Sequence, residues 1–497
     1  MLNLFREATT RYLNYVQRLR ILGGLKALPR SRLVREVLSK SLPPAVGAPA
    51  AVVLLKLLGI GFLSYVDIAI AALLGGLLAL LLPILVHLRR ALARGRRAEA
   101  ELTYFIISEG VSTGSAKELI KDLIELGPWS SVFPYLTAEA RKLSKFRRLM
   151  PIVDAVKTYT KWIRSSKVSR ALTDYLLSLS LGTAPQWLQE RTDELISEVR
   201  ARAAVAIKLR ATVAIVLAVL LGYVPPLASM LSLIAGEHLL TTALTLTMCL
   251  VPVAFILTPR LPEHLAIIPR GGRFRVAPLA PIAAGATAYL LVKSPSYAIV
   301  AASAVGIALG VVKLREYVLT VVEASELPRV ISALLEAPLT LANPVAVVKD
   351  VMRASRAATL RGIGRAFEVS RAPQVALRAR LWLSRFVVYV ISKSIESGSV
   401  SRERLMKLRE LVIELVRDFK ATLSVNLAIA SIAIALPAIL ALISFLGTGA
   451  TPLITAYDLV GIVAYSTYAT YIVFNDLGNT LLPSSALLTF ALMGGIR

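Results

Sequence analysis

The sequence predicts an all-α polytopic membrane protein with about nine transmembrane helices. Two helical cytoplasmic bundle domains interrupt them in a tandem, same-topology repeat. Three observations carry that expectation. The 497 residues are 56% hydrophobic, with a mean hydropathy of +0.68, well above soluble globular chains. Uncharged stretches occur at 68–86, 211–236, 238–259, 276–292, 294–312, 421–457, 459–475 and 477–496. Most of them can cross a hydrocarbon core of about 30 Å, which takes roughly 20 helical residues. Finally, a pair of apolar spans, a basic block of roughly 110 residues and further apolar spans run from about 46 to 258, and the order recurs from about 276 to 496.

In chain order, 1–44 is a basic cytoplasmic segment. Phe5, Tyr12, Val16 and Leu19 stand at helical spacing with Arg6, Arg11, Arg18 and Arg20 between them, the pattern of an amphipathic helix on the inner leaflet or on the cytoplasmic domains. The first 40 residues lack the apolar core and small-residue site of a cleavable signal peptide. Spans 1 and 2 occupy 45–88, the first interrupted by Lys56. The first helical domain covers 89–208, with breaks expected at Gly110–Gly114, Gly127-Pro128, Pro151 and Gly182–Pro185. Its last helix sets Leu188, Leu195, Ile196 and Val199 on one face among charged neighbours. Spans 3 and 4 occupy 209–259, and a basic linker fills 260–275.

The second half repeats this grammar, with spans 5 and 6 at 276–312, a second helical domain at 313–421 and spans 7 to 9 at 422–497. Breaks are expected at Pro338, Pro344, Gly362–Gly364, Pro373 and Gly398. Leu405, Leu408, Val412, Leu415 and Phe419 line one face of the last helix, which runs into an apolar stretch ending near Leu446. Each domain thus begins with Glu-Leu (Glu101-Leu102, Glu326-Leu327) and ends with a glycine turn before a charged amphipathic helix. Gly182 and Gly398 are the candidate hinge turns.

Charge sets the orientation. With the N-terminus inside and nine spans, the inner segments hold 54 of the 57 Lys and Arg residues, so the chain is expected in the cell membrane with its C-terminus outside. The net charge of +26 therefore reads as an orientation signal and an affinity for anionic lipid headgroups, not as nucleic-acid binding.

No residues arranged for catalysis stand out. Phosphate-loop, His-Glu-x-x-His, Cys-x-x-Cys and GxSxG patterns are absent, and Gly362-Ile363-Gly364 lacks the context of a dinucleotide fold. Cys249 is the single cysteine, and His87, His238 and His264 sit apart at segment ends, as interfacial residues do. No enzyme activity, cofactor or metal is expected. The candidate intramembrane charges are Lys56 and Asp458, which either pair or reach separately for the headgroups. Arg141, Lys142, Lys145, Arg147 and Arg148 lie within eight residues as one basic cluster, and Arg353, Arg356, Arg361 and Arg365 form a comparable one in the second domain. Either cluster fits an acidic partner or a solvated face. A polytopic transporter or permease with cytoplasmic regulatory domains is the competing class. Gly222 and Pro225-Pro226, which interrupt the third span, and Asp458 and Asp476, which flank a later one, keep it open.

The leader, the paired spans and the Glu101-Leu102-Thr103-Tyr104-Phe105 start belong to one pattern. With Ala138-Glu139-Ala140-Arg141-Lys142-Leu143, Ala171-Leu172-Thr173-Asp174-Tyr175-Leu176-Leu177 and the later Glu326-Leu327-Pro328-Arg329, the layout resembles a known family. It is similar to the platform membrane protein of type II secretion, type IV pilus and archaellum machines, with its duplicated F domain, in the archaeal branch. The resemblance implies a homodimer that is not an enzyme. It implies a hexameric secretion ATPase below the membrane, whose motion the helical domains pass to spans that move pilin subunits into a filament. Where that family often has two consecutive glycines, this chain has Gly182-Thr183-Ala184-Pro185. Basic residues outnumber acidic ones 22 to 13 over 89–210 and 19 to 11 over 313–420, so an ATPase docking there is expected to present an acidic surface.

Overall fold

The computed structural model describes residues 2–22, 28–39, 41, 65–112, 119–163, 165–235, 247, 250–265, 279–337, 343–398, 401–446, 452–476 and 479–493. Every regular element among them is a helix. The chain forms two compact units, residues 1–106 with 115–188, and residues 107–114 with 189–497.

The first unit opens with α1 (Leu2–Leu22) and α2 (30–39). Leu13 and Val16 of α1 are buried with Leu33, with Val37 and Ile84 packed against them. Val16 and Leu19 of the predicted apolar face are thus buried against protein. Helix α3 (Tyr65–Ser112) runs 48 residues, from the uncharged stretch at 68–86 into the first basic block. Four short helices follow: α4 (Leu119–Glu125), α5 (Pro134–Arg147), α6 (Ile152–Trp162) and α7 (Ser166–Ser180). Each starts or stops where the sequence has a breaker or a cap. Pro134 sits in the first turn of α5, Pro151 precedes α6, and the Ser165 side chain accepts from Val168 N at the start of α7. Phe105 meets Phe133 edge-on at 6.2 Å in the core.

Gly182 ends α7 with φ +73. Its N–H donates to Leu179 O and Thr183 N–H to Ser178 O, the two bonds of a Schellman cap. Gly398 plays the same part after α15 with φ +61, donating to Ile395 O. Neither glycine has a non-neighbour atom within 4 Å of where a Cβ would stand, so conformation alone decides its replacement. Gly182→Val and Gly398→Val are each expected to cost about 1–2 kcal/mol, and the corresponding Asn variants less. Thermal unfolding of the purified variants checks this.

The second unit is built on long helices. α8 (Ala184–Ala235, 52 residues) enters it, and α9 (250–257) follows. α10 (Leu279–Val292) leads to α11 (Pro295–Glu336). Then come α12 (Pro344–Ala354), α13 (Ala358–Ala366), α14 (Ala372–Ala376) and α15 (Trp382–Glu396). α16 (Arg402–Leu446), α17 (Pro452–Phe474) and α18 (Leu481–Leu492) complete it. An apolar core joins Leu217 and Leu221 of α8, Ala254 of α9, Ile429 and Leu436 of α16, Tyr465 and Tyr468 of α17 and Phe490 of α18. Arg200 pairs with Glu414, and a Cβ at Gly222 would stand 3.0 Å from Leu436. Both contacts have an offset of 214 residues (414 − 200 and 436 − 222), so α8 and α16 lie side by side and run parallel.

Among the described residues three helices are long and apolar enough to cross a membrane, with such stretches in Ala184–Val224, Pro295–Glu336 and Arg402–Leu442. α10 and α18 are 14 and 12 residues, about 21 and 18 Å, shorter than a hydrocarbon core. Both pack on α11. The predicted first span with Lys56, and His238 and Cys249 beyond it, lie outside the described residues.

Several expected breaks are absent. α8 continues through Gly222 and Pro225-Pro226, so no interrupted helix offers the transporter reading a site there. α3 runs through Gly110 to Ser112, and the rest of the break expected at Gly110–Gly114 lies outside the described residues. Gly362 and Gly364 lie inside α13, where a Cβ on Gly364 would come 2.7 Å from Met352 Cβ. That glycine is there for the close approach of α12 and α13, not for a turn.

Candidate functional site

Two carboxylates give the paired Glu-Leu starts a physical reason. Glu101, buried on α3, accepts from Tyr135 N at 2.8 Å and Leu136 N at 2.6 Å, the first turn of α5. Glu326, buried on α11, accepts from Arg356 N at 3.0 Å, just before α13. In each block an incoming helix thus sends a carboxylate to N–H groups that no intrahelical carbonyl can satisfy. A second acid repeats the device. Glu99 accepts from Ser165 Oγ, the cap of α7, and Glu323 from Arg380 N and Leu381 N before α15. Burial pushes the Glu326 carboxyl up, but the Arg356 N–H and Arg329 outweigh it and hold the group below its ordinary value.

Of the first basic cluster, Arg141, Lys145, Arg147 and Arg148 are exposed around the end of α5. Lys142 is partly spent on Glu139 at 2.8 Å, which also takes Arg94 and the Tyr159 hydroxyl. In the second cluster Arg353, Arg356, Arg361 and Arg365 are all exposed; Arg353 lies 3.6 Å from Asp350, and Arg356 stands beside the Glu326 carboxylate. Arg361 and Arg365 are one turn apart on α13 and share a face. Each cluster therefore presents cationic side chains to solvent on or beside a short helix.

Asp458 is buried on α17 (2% exposed), and its proposed partner Lys56 lies outside the described residues. Asp476 meets Lys313 at 2.8 Å. The two described histidines are buried in protein. His87 is buried 3.6 Å from Glu36, and His264 3.6 Å from Asp418. Burial lowers the pKa of His264 against the pull of Asp418. No group of three metal-ligating side chains occurs among the described residues.

Sequence reading missed Arg210 and Asn426. Arg210 had been grouped with the basic block, although it abuts the uncharged stretch at 211–236 and is 2% exposed. Asn426 lies within the stretch at 421–457, where a buried amide needs a partner; Nδ2 donates to Val473 O at 3.3 Å.

These features define a class: an all-helical, membrane-associated protein whose apolar helices extend into helical blocks with exposed basic faces. No protein-family model, curated protein or solved structure matches the chain significantly.

Proposed function

We propose that the chain is the membrane platform of a filament-assembly or secretion machine of the type IV pilus, archaellum and type II secretion kind. It would couple a separate cytoplasmic ATPase to the insertion of pilin subunits. The observation that carries this reading is the parallel, in-register pairing of α8 and α16. Two long helices, each leaving a helical block through a glycine cap, run the same way into one apolar core. The matching roles of Glu101 and Glu326 support a tandem repeat of one topology. The nine-span threading, the cytoplasmic N-terminus, the outward C-terminus and the homodimer belong to the same reading.

The ATPase would dock on the exposed arginines of α5 and α13 by charge. Pulldown from detergent with the full chain tests it. Capture of a hexameric ATPase is expected at low salt and about tenfold less with Arg361→Glu/Arg365→Glu or at several hundred millimolar salt, where the Debye length falls to about 4–5 Å. Capture insensitive to both overturns the docking face. Deleting the gene without losing any surface filament or secreted substrate overturns the platform.

A further inference from the structure

The C-terminal end of α17 is gripped by three long helices. Arg210 of α8 donates Nε to Pro259 O at 3.1 Å and Nη1 to Ile472 O at 3.5 Å, with its guanidinium 5.9 Å from the Tyr471 ring centre. Asn426 of α16 donates to the very next carbonyl, Val473 O. Lys313 of α11 pairs with Asp476, just past Asn475, which closes α17 in the left-handed conformation (φ 52). Ile472 and Val473 lie in the last turn of α17, whose carbonyls have no intrahelical donor and form the negative end of the helix dipole. Pro259 lies just past the end of α9. A buried arginine beside the ends of two helices is thus met by their partial negative charge.

Along the described middle of α17 the packing is mainly apolar. Ile462, Tyr465 and Ala469 pack apolar surface, and Ser466 and Thr470 hydrogen-bond within their own helix. Apolar packing resists separation but is not directional, so it fixes axial position weakly. Directional bonds fix it strongly, and several lie at this end, where Thr258 also bonds Tyr468 at 2.8 Å.

We infer that the end of α17 is an output joint: Arg210 and Asn426 are positioning residues through which shifts of α8 and α16 reach α17 together. The inference rests on the platform reading. The test uses Arg210→Lys, which keeps the charge but not the two-carbonyl fork, and Asn426→Leu, each in the full chain. Hydrogen exchange of peptides covering 466–476, in purified protein, is expected to quicken about tenfold in both. Surface filaments are expected to fall about tenfold while protein level and ATPase capture stay at wild type. Exchange unchanged in both variants overturns the joint, as does quickened exchange with normal filament numbers. If the wild-type chain neither captures the ATPase nor restores filaments to a deletion strain, the platform reading fails. Faster exchange in that case marks a structural clamp and overturns the joint as an output.

Discussion

Gly310→Leu is expected to split α11 from α18. A Cβ at that position would stand 2.6 Å from Leu481 Cα and 2.7 Å from Leu481 N. Backbone cannot rotate away as a flexible side chain can, so the helices must separate or shift. One turn earlier, a Cβ on Gly306 would strike Ser484, and Thr480 Oγ1 already donates to Gly306 O at 2.7 Å. Small residues that let two backbones close up are a usual device for joining apolar helices in lipid, where no hydrophobic drive between helices exists. The expected cost is about 3 kcal/mol or more, at the upper end for overpacking. It would be read as a lower thermal transition and aggregation on gel filtration in detergent. Gly95 supplies the control. It lies inside α3 with no such atom within 4 Å, so Gly95→Ala is expected to be neutral or stabilising by up to about 1 kcal/mol. A Gly310→Leu protein that melts as wild type would show that α11 and α18 do not meet there.

Glu101→Ala is expected to be the most damaging change in the first helical block. It removes the acceptor of two backbone N–H groups and leaves those donors at a helix start without that carboxylate. Charge-assisted bonds to backbone N–H groups contribute about 1.5–3 kcal/mol each before other terms, so a loss of about 3 kcal/mol is expected. Glu326→Ala should follow the same direction in the second block, and it adds a pH signature. The folded carboxyl titrates below its ordinary value of 4.5. The unfolded chain therefore takes up the proton first as acid is added. The stabilisation is fully present above about pH 4.5 and is lost as pH falls through the folded value. Melting curves of wild type and Glu326→Gln should converge on acidification. A gap that stays constant down to pH 3 would rule this account out.

Much of the helical pattern was legible because it follows local rules. The face of Leu405, Leu408, Val412, Leu415 and Phe419 is buried as its spacing required, and α16 stops at Leu446, as hydropathy suggested. Gly182 and Gly398 are the left-handed caps that their place before a charged helix implied. Misreadings arose where tertiary contact overrides local preference. Pro225-Pro226 does not interrupt α8, and the glycines of α13 serve packing rather than a turn. Orientation by charge counting could not distinguish a solvated arginine from Arg210. Whether a cation at the edge of an apolar stretch faces water or two helix ends depends on residues about 50 and 260 positions away. The basic clusters were legible as charge, but Lys142 and Arg353 needed their neighbours to be told apart from the rest.

The length of α16 has a mechanical consequence. Its 45 residues make a rod of about 68 Å, of which a bilayer can hold about 30 Å. About 38 Å therefore stands clear of the hydrocarbon. If the headgroup layer is the fulcrum, the outer arm exceeds the inner by a ratio of about 1.3. A tilt of about 5° then sweeps the outer tip through about 3 Å and the buried tip through slightly less. Such a rod turns a small tilt of the helical block into a comparable displacement of its apolar end.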